Sequence, residues 1–306
     1  MKLVLGFPQA DKQTGVYVKE GFEELGHDVV AVNDPRVSPT SPQEILSLVD
    51  THKPDFVFLA KDPRYNSVVE ELASKVLTVM WNVDARYDIK IFLDTCGPLY
   101  KHCHLKFTIE QGNLDAYGQA GVSDIYWLSE GIAPKWHFKS GVPTTVDHIK
   151  YYCDVAFAGS ITNIHEGREE VIRTIRQSSD AFDFVHFQGV FNLEHNKMCQ
   201  AAAINLGHSG WPKVRLSMSA RDYRVMGAGG FLLTNHVDGI EEWFEVGKMC
   251  DTYRTPAECV EKIKFYLDHP KLRKDIAQYG MEQMHLKHKF SDRLKIVVDK
   301  VKEYGS

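Results

Sequence analysis

Two loops in the C-terminal half of the chain join small residues to arginines in a pattern that suits a phosphate group. In each loop, small residues lead into a helical stretch that carries arginine in its first turns. Free backbone N–H groups at a helix start favour bound anions, and guanidinium groups add planar, bidentate donors. The residues concerned are Gly159, Ser160 and Arg168 in the first loop, and Ser219, Arg221 and Arg224 in the second.

The same residues also have a plainer interpretation. In it, Ser219 is an ordinary helix N-cap, and the arginines form surface ion pairs that contribute little to stability. Because two such loops occur in one half of the chain, the pattern favours the phosphate site.

Asp84 is the carboxylate best placed for acid–base chemistry. It lies in the segment WNVDAR, directly after an apolar run that ends at Trp81. Loops after the strands of an open α/β sheet face the ligand, so the sequence predicts Asp84 as a catalytic group. The alternative is a loop aspartate that forms a hydrogen bond with its own backbone.

No standard cofactor or metal motif accompanies these residues. The glycine cluster at 227–230 lies between a helix and the next strand, which is the wrong context for dinucleotide binding. The signatures GxxxxGK[ST], GxSxG and HExxH do not occur. Cys and His residues at 96–104, and His residues at 285 and 288, lack zinc spacing. The sequence therefore predicts no metal and no cofactor.

The composition fits a globular protein and weighs against a nucleic-acid partner. The chain has 306 residues, of which 43% are hydrophobic and 25% charged, and this length indicates about two domains. A net charge of −5 gives no basic face for phosphate contacts beyond a short run at 101–106. The six cysteines lack CxxC spacing, and no signal peptide or membrane span is recognisable. We therefore expect a cytoplasmic protein.

The elements that position these residues alternate along the chain. Apolar runs that predict strands in the first half lie at 2–7, 27–32, 55–60, 76–81, 105–109 and 124–129. Corresponding runs in the second half lie at 154–160, 182–187, 203–206 and 231–234. Helical patterns separate the runs, and this alternation predicts parallel sheets covered by helices on both faces. The fold class is therefore α/β, with two Rossmann-like domains in series.

The predicted domains are 1–140 and 151–285, followed by a C-terminal helix at 286–306. A Gly- and Pro-rich stretch at 129–150 is interpreted as the linker. If the two domains face one another, the loops after their strands line one cleft, which is a common small-molecule site. In the second half these loops add four candidates for ligand contact, namely His208, Ser209, Asp238 and Gly239.

The second half resembles the C-terminal domain of CgeB-like, group 1-type glycosyltransferases. The similarity rests on RDYRVMGAGGFLLTNHVDGIEEWFE (221–245) and CDTYRTPAECVEKIKFYLDHPKLRKDIAQYG (250–280). Those proteins share an arginine–x–aromatic–glutamate helix, a GG-x-LLT strand and a closing helix pair. The start of their donor domain resembles CDVAFAGS at 153–160, and their N-terminal domain resembles GFEELGHDVV, KPDFVFLA and WNVDAR.

The resemblance implies a GT-B architecture, in which two Rossmann-like domains face each other across a cleft. It implies that the C-terminal domain holds a nucleotide-sugar donor, the N-terminal domain holds the acceptor, and the final helix packs back on the first domain. Enzymes of this type generally need no metal, because a helix N-terminus and basic side chains stabilise the leaving diphosphate.

One position departs from the family pattern. A glutamate that holds the donor ribose commonly follows the aromatic residue, whereas this chain has Arg224 after Tyr223. An arginine side chain cannot accept a hydrogen bond. Either another group such as Asp222 holds the ribose, or the donor is unusual, or activity is lost. Arg221, by contrast, matches the family arginine.

The leading hypothesis is a metal-independent glycosyltransferase that moves a sugar from a nucleotide diphosphate to an acceptor hydroxyl. Arg168 and Arg221, with nearby backbone N–H groups, would stabilise the leaving phosphate. Asp84 would be the general base if the reaction inverts configuration. If the reaction retains configuration, Asp84 would only orient the acceptor.

Two alternatives stay open. A non-catalytic nucleotide- or sugar-binding protein would use the same scaffold, since fold does not determine function, and Arg224 favours this alternative. A glycosyltransferase acting on modified DNA bases would need a positively charged acceptor groove, which the net charge of −5 does not indicate.

Overall fold

A computed structural model of the chain describes residues 1–10, 13–32, 42–141, 143–162, 164–178 and 180–305. The chain divides into two compact units. The N-terminal unit contains Met1–Ser129 together with Phe290–Ser306, and the C-terminal unit contains Glu130–Lys289. Relative to the sequence-based bounds of 1–140, 151–285 and 286–306, residues 130–140 and 286–289 thus group with the C-terminal unit.

The N-terminal unit is built on six parallel strands in the order β2-β1-β3-β4-β5-β6. The strands are β1 (Lys2–Gly6), β2 (Asp28–Ala31), β3 (Phe56–Ala60), β4 (Leu77–Asn82), β5 (Leu105–Thr108) and β6 (Ile125–Trp127). Each begins within one residue of the apolar run that predicts it. The central strands are apolar along their length because both faces are covered, and Leu3, Val4 and Leu5 of β1 are completely buried.

Helices connect these strands. Within the described residues they are α1 (Thr14–Glu24), α2 (Pro42–His52), α3 (Val69–Lys75), α4 (Lys90–His102) and α5 (Leu114–Gln119). Gly26 follows a helical pattern at 15–25 and is therefore predicted to end this helix; the chain leaves α1 through this glycine, whose φ of +79° suits that position. The sequence SPQE at 41–44 predicts a capping box at the start of α2, and its capping residue, Ser41, lies outside the described residues.

The helix α4 was not predicted from the sequence, for a local reason. Gly97 and Pro98 lie inside this helix and interrupt its periodicity in the sequence. The backbone departs from helical geometry at Cys96, with φ −128° and ψ 22°, so the helix is kinked just before them.

The C-terminal unit contains a parallel five-stranded sheet in the order β11-β10-β9-β7-β8. Its strands are β7 (Val155–Ala158), β8 (Phe184–Phe187), β9 (Ile204–Leu206), β10 (Leu232–Asn235) and β11 (Asp251–Tyr253). Its helices are α6 (Thr145–Tyr151), α7 (Arg168–Gln177), α8 (Asn192–Ala201), α9 (Ala220–Gly227), α10 (Pro256–Asp268) and α11 (Pro270–Lys287). The strand β11 was not predicted from the sequence, because its polar residues Asp251 and Thr252 interrupt the apolar run that would indicate a strand.

The stretch interpreted as a linker contains α6, so that interpretation was incomplete. Thr144 and Asp147 form a capping box at the start of this helix, with Asp147 N–H donating to Thr144 Oγ1 at 3.2 Å. The apolar residues Val146 and Ile149 are exposed, so α6 shows no clear buried face in the sequence. In the sequence, a helical pattern runs from about 164 to 178, but α7 begins only at Arg168, after Gly167 with φ +72°.

The last helix, α12 (Phe290–Gly305), belongs to the N-terminal unit and packs on α1. Gly21 of α1 permits the close approach, since a Cβ there would lie 2.7 Å from Leu294 Cδ1. The ring of Phe290 also lies against buried Trp81, with centroids 6.2 Å apart. The prediction that the C-terminal helix packs on the first domain is therefore confirmed.

Candidate functional site

The two predicted phosphate loops meet in the C-terminal unit, beyond the carboxyl ends of β7 and β9. Arg168 is the first residue of α7, and Arg221 lies in the first turn of α9. Their guanidinium groups converge on one carbonyl oxygen, that of His208, at 2.7 Å from Nη2 of Arg168 and 3.5 Å from Nη1 of Arg221. The fold therefore places two cations side by side at the edge of the sheet.

Arg221 is fixed from two sides. Its Nε donates to the carbonyl oxygen of Ala158 at 2.6 Å, and its guanidinium lies over the ring of Phe157, 4.6 Å from the centroid. Gly159 makes room for this position, because a Cβ there would overlap Nη2 of Arg221. Burial lowers the pKa of Arg221, but a guanidinium remains charged at neutral pH.

Arg168 is buried, with 4% of its surface exposed. Its Nη1 donates to the Ser160 carbonyl at 3.0 Å, whereas its buried Nε has no acceptor within the described residues. Burial, followed by the charge of Arg221, lowers the pKa of Arg168 to about 9.

These two cations form no hydrogen bond with a carboxylate in the described part of the chain, and Asp222 is the carboxyl group whose charge acts on both of them. The hydrogen bonds of the two guanidiniums run to backbone carbonyls and to the ring of His165, and none runs to a carboxylate. Arg168 is buried and Arg221 is half-buried, and two neighbouring charges of the same sign in such a place are costly unless opposite charge compensates both of them. The arrangement of Arg168 and Arg221 therefore favours a bound anion.

His208 supplies a neutral polar group beside the arginines. It is 3% exposed, and burial together with the charges of Arg168 and Arg221 lowers its pKa to about 3. Its imidazole is therefore uncharged at neutral pH, where it both donates and accepts one hydrogen bond. This character suits a hydroxyl group, and the predicted contact of His208 with a sugar or phosphate stays a prediction.

Gly159 is expected to be intolerant of a side chain. Its φ is +141°, where an L-residue is strained, and a Cβ would displace Arg221. We expect Gly159→Ala to lower the free energy of unfolding by about 1–3 kcal/mol and to weaken stabilisation by inorganic pyrophosphate. Urea titration and thermal unfolding with pyrophosphate measure the two effects.

Gly247→Ala is the matched control for this substitution. Gly247 also has a positive φ, +85°, but a Cβ there meets nothing within 4 Å among the described residues. Its loss of stability therefore reports backbone strain alone. Equal losses in the two variants, with pyrophosphate binding intact in both, would contradict the role assigned to Gly159.

Ser209 holds the start of α9. Its Oγ accepts from Ser219 N–H at 2.9 Å and donates to Asp222 at 3.1 Å, while its backbone exchanges two hydrogen bonds with Asn235. Ser219 is the N-cap of α9 and accepts from Arg221 N–H at 3.3 Å. Ser209 is completely buried, so the structure assigns it to this network, and its predicted ligand contact stays a prediction.

Arg224 pairs with a carboxylate of its own unit. Its Nη2 lies 3.7 Å from Oε2 of Glu130, whose side chain is 6% exposed, so this is not a surface ion pair. The suggested substitute for the ribose ligand, Asp222, is completely buried and accepts from Ser209 at 3.1 Å and Thr234 at 3.2 Å. Asp222 therefore stabilises the interior, and burial raises its pKa.

Asp238 and Gly239 form a turn after β10. Asp238 is exposed, and its backbone bonds to Pro212 O at 2.9 Å and to Leu216 N at 2.8 Å. Gly239 has φ +83°, and a Cβ there would lie 2.8 Å from Nη1 of Arg215. These contacts tie the turn to the segment 212–216, and its predicted contact with a ligand stays a prediction.

Asp84 lies at the carboxyl end of β4 in the N-terminal unit. Its Oδ2 accepts from Lys61 Nζ at 2.6 Å, while 54% of its side chain remains exposed. Its N–H donates to Asn82 Oδ1 at 3.0 Å. The carboxylate thus pairs with a lysine rather than with its own backbone, and it is accessible to a ligand.

Two functional candidates near Asp84 were not among the site residues predicted from the sequence. Lys61 follows β3, and its Nζ lies over the ring of Phe92, 4.1 Å from the centroid. Glu110 follows β5, is completely buried, and has a pKa that burial raises to about 7. The signal that selected Asp84, a polar residue just after a predicted strand, was present for both.

Other sequence candidates do not gather into a site. Within the described residues, no three His, Cys, Asp or Glu side chains are grouped so as to hold a metal ion. All six cysteines are buried and unbridged. Among the helices in the described ranges, none is both long enough and apolar enough for a membrane span.

The chain is similar to a known protein family and to solved structures. Residues 139–299, more than half of the chain, match the glycosyl transferase-like family. No curated protein matches the sequence significantly. Among solved structures, HepE of Anabaena in complex with UDP and glucose has a TM-score of 0.67 at 10% identity, covering 99% of this chain and 100% of its own.

Two further structures are similar to the same extent. Sucrose-phosphate synthase from Thermosynechococcus elongatus has a TM-score of 0.67 at 10% identity, covering 99% of both chains. An alpha-glucosyltransferase in complex with UDP-glucose and DNA containing an abasic site has a TM-score of 0.67 at 8% identity, again covering 99% of both chains.

These matches bear on the sequence-based predictions. The α/β fold class with GT-B architecture is confirmed, as is the prediction of a glycosyltransferase, whereas the narrower CgeB-like assignment stays a prediction. The matched residues include both arginine-bearing loops. Arg168 and Arg221 of these loops both donate to the carbonyl oxygen of His208. The chain belongs to the glycosyl transferase-like family.

Proposed function

We propose that this glycosyltransferase uses a uridine diphosphate sugar as its donor and binds the diphosphate at Arg168 and Arg221. The observation that carries the proposal is the convergence of their two guanidiniums, which form no hydrogen bond with a carboxylate in the described residues. A diphosphate would supply the compensating charge through strong charge-assisted hydrogen bonds. HepE and alpha-glucosyltransferase, both solved with UDP, support the choice of nucleotide.

The proposed catalytic effect is stabilisation of the leaving group. Negative charge develops on the diphosphate as its bond to the sugar breaks, and fixed cations favour that state over the intact donor. Arg221 is held through Nε by Ala158, so its Nη atoms are oriented before the ligand arrives. The N-terminus of α9, capped by Ser219, adds the positive end of a helix dipole. In this proposal the reaction proceeds without a metal.

Asp84 is the proposed acceptor-side group. Its exposed carboxylate would accept the proton of the acceptor hydroxyl if the reaction inverts configuration. If the reaction retains configuration, the carboxylate would orient that hydroxyl through a hydrogen bond. Lys61 holds Asp84 in either case through the 2.6 Å contact to Oδ2.

A nucleotide panel tests the donor site. We expect UDP to raise the thermal midpoint more than GDP, ADP, CDP or dTDP, with and without magnesium. At about 100 times its Kd, a ligand adds roughly 2.7 kcal/mol to the free energy of unfolding, which corresponds to several degrees. Differential scanning fluorimetry measures the shift. No shift with any of the five nucleotides would contradict the proposed donor site.

A turnover assay separates catalysis from binding alone. Release of UDP from UDP-glucose, with water as the acceptor, would exclude the non-catalytic alternative. A UDP-induced shift without any turnover, in water or with added sugar acceptors, would favour that alternative.

The DNA-base alternative is tested by offering DNA with hydroxymethylated bases as the acceptor. The basic run at 101–106 weighs against it, because Lys106 is only 3% exposed and donates to the Cys103 carbonyl at 2.9 Å. Transfer to this DNA, but not to sugar acceptors, would reverse that conclusion.

A further inference from the structure

Side chains from the segment after β5 clamp the turn that carries Asp84. Glu110 Oε2 accepts from Arg86 N–H at 2.9 Å, and Asn113 Nδ2 donates to the Arg86 carbonyl at 2.7 Å. The backbone N–H and the carbonyl oxygen of Arg86 are thus both held by side chains of the segment after β5. Before Asp84, Asn82 Oδ1 accepts from Asp84 N–H at 3.0 Å. The turn is therefore fixed at both ends.

Tyr117 joins the two ends of this clamp. Its hydroxyl donates to Glu110 Oε1 at 3.4 Å and accepts from Asn82 Nδ2 at 3.4 Å. The hydroxyl of Tyr100 lies 3.3 Å away, and the two rings are stacked with centroids 5.3 Å apart. Glu110 and Tyr117 have no exposed surface, so these bonds form where water does not compete.

We propose that Glu110 is a positioning residue for sugar transfer: its carboxylate fixes the Arg86 backbone and thereby sets the position of Asp84. This inference rests on the proposed function, in which Asp84 is the acceptor-side group. Because Glu110 is completely buried, it acts through the turn and not by contact with a ligand.

The surroundings of Glu110 favour titration near neutral pH. Burial raises its pKa to about 7, against the opposing effects of its hydrogen bonds and of the positive charge on Lys61. The charged and titratable groups that face this carboxyl are Lys61, Tyr100 and Tyr117, with Asp84 joined to it through Lys61. Arg86 contacts the carboxyl through its backbone N–H.

Protonation of Glu110 reverses its hydrogen bond with Tyr117 and weakens the clamp. The ionised carboxylate only accepts hydrogen bonds, as the N–H groups of Arg86 and Asn113 require. A protonated carboxyl must donate one, and neither N–H group can accept it. The hydroxyl of Tyr117 is the remaining acceptor, and it already bonds Asn82 and Tyr100. With the proton on Oε1, Oε2 still accepts from the Arg86 N–H, but this hydrogen bond is no longer charge-assisted, so the ionised form holds the turn more firmly.

The first test compares pH profiles of wild type, Glu110→Gln and Asp115→Asn, using UDP release from UDP-glucose with water as the acceptor. Wild-type kcat is expected to rise about tenfold from pH 6 to pH 8, following the ionised fraction of a group with a pKa of about 7. Glu110→Gln keeps the shape without the charge, so its profile is expected to be flat. Asp115, an exposed acid of α5, is the control and should leave the wild-type profile unchanged.

The Michaelis constant distinguishes positioning from a general loss of structure. Glu110 lies in the N-terminal unit, and the arginines proposed to bind the donor lie in the C-terminal unit. The KM for UDP-glucose is therefore expected to stay within about twofold in Glu110→Gln, while kcat loses its pH dependence.

A second test needs no turnover. The fold favours the protonated form of Glu110, so its contribution to the free energy of unfolding is greatest below the ordinary pKa of glutamate. That contribution is lost as the pH rises through about 7. Compared with Glu110→Gln, the wild-type thermal midpoint is expected to fall between pH 5 and pH 8, opposite in direction to kcat. In Glu110→Ala, the Arg86 amide is expected to exchange with deuterium faster than in wild type.

The outcomes separate the two proposals. If neither wild type nor any variant releases UDP, but the thermal midpoint and the Arg86 amide exchange behave as expected, the clamp is supported and the proposed function fails. If UDP is released and Glu110→Gln keeps the wild-type pH profile, positioning by Glu110 is overturned. An Arg86 amide that exchanges at the wild-type rate in Glu110→Ala also overturns it. If Glu110→Ala does not fold, the exchange rate of the Arg86 amide is compared between wild type and Glu110→Gln from pH 5 to pH 8. Only the wild-type protein has a carboxyl group at position 110 that titrates, so the ratio of the two rates should change with pH. A constant ratio would overturn positioning by Glu110.

Discussion

Replacing Arg221 by alanine is expected to reduce the turnover of UDP-glucose by roughly 100- to 1000-fold, the effect of losing one preorganised donor to a developing negative charge. The structure gives the reason, since Ala158 and Phe157 hold the guanidinium against the Gly159 backbone. Arg221→Lys should retain part of the charge effect but lose the planar pair of donors, so an intermediate rate is expected. Steady-state UDP release measures both variants.

Folding must be monitored separately for Arg221→Ala. Burial is the main cause of the lowered pKa of Arg168, and the charge of Arg221 is the second. Removal of Arg221 relieves this second contribution, which offsets part of the hydrogen bonding that is lost. We therefore expect the thermal midpoint without nucleotide to change little, while the shift caused by UDP largely disappears. Arg173→Ala, at an exposed position on α7, is the matched control and should leave both properties unchanged. Near-normal turnover in Arg221→Ala would remove this residue from the mechanism.

Replacing Asp84 by asparagine is expected to lower kcat by roughly 100- to 10,000-fold if the carboxylate is the general base. Asparagine has nearly the same size and still accepts a hydrogen bond from Lys61, so the substitution removes the base without removing the contact. The proposed donor arginines belong to the other unit, so the UDP-induced thermal shift should remain. UDP release and the thermal shift, measured on the same preparation, test this expectation.

The anomeric configuration of the released glucose decides how the Asp84→Asn result is interpreted. An inverted product with a large loss of kcat supports general-base catalysis. A retained product with a smaller loss, mainly in acceptor KM, supports orientation of the acceptor. Asp94→Asn, at an exposed position on α4, controls for the loss of one negative charge. An inverted product at an undiminished rate would exclude Asp84 as the base.

The sequence predicted strands well where burial covers both faces of the sheet. A strand such as β3, FVFLA, is apolar throughout, so composition alone identifies it. Prediction failed where the local signal was interrupted or weak. Gly97 and Pro98 interrupt α4, and the exposed apolar residues of α6 give it no clear buried face.

The candidate site shows the same division. Arg168 and Arg221 were recognised because each follows a strand and begins a helix, which is local information. Their meeting at His208 was not predictable, since the carbonyl oxygen lies 40 residues from Arg168 along the chain. Likewise, nothing in the sequence near Arg224 indicates that Glu130 is its partner.

The sequence by itself determined most of the strands and their order along the chain, the two arginine-bearing loops and the resemblance to glycosyltransferases, because these depend on local composition and spacing. Only the tertiary structure decided which side chains form ion pairs, which of them donate to the same carbonyl oxygen, and which have a shifted pKa. Glu110 illustrates the difference: its burial raises its pKa, and its bond to Arg86 spans 24 residues. Burial and long-range hydrogen bonds arise only when distant segments pack, so a glutamate that reads as an ordinary strand end becomes a group that titrates near neutral pH.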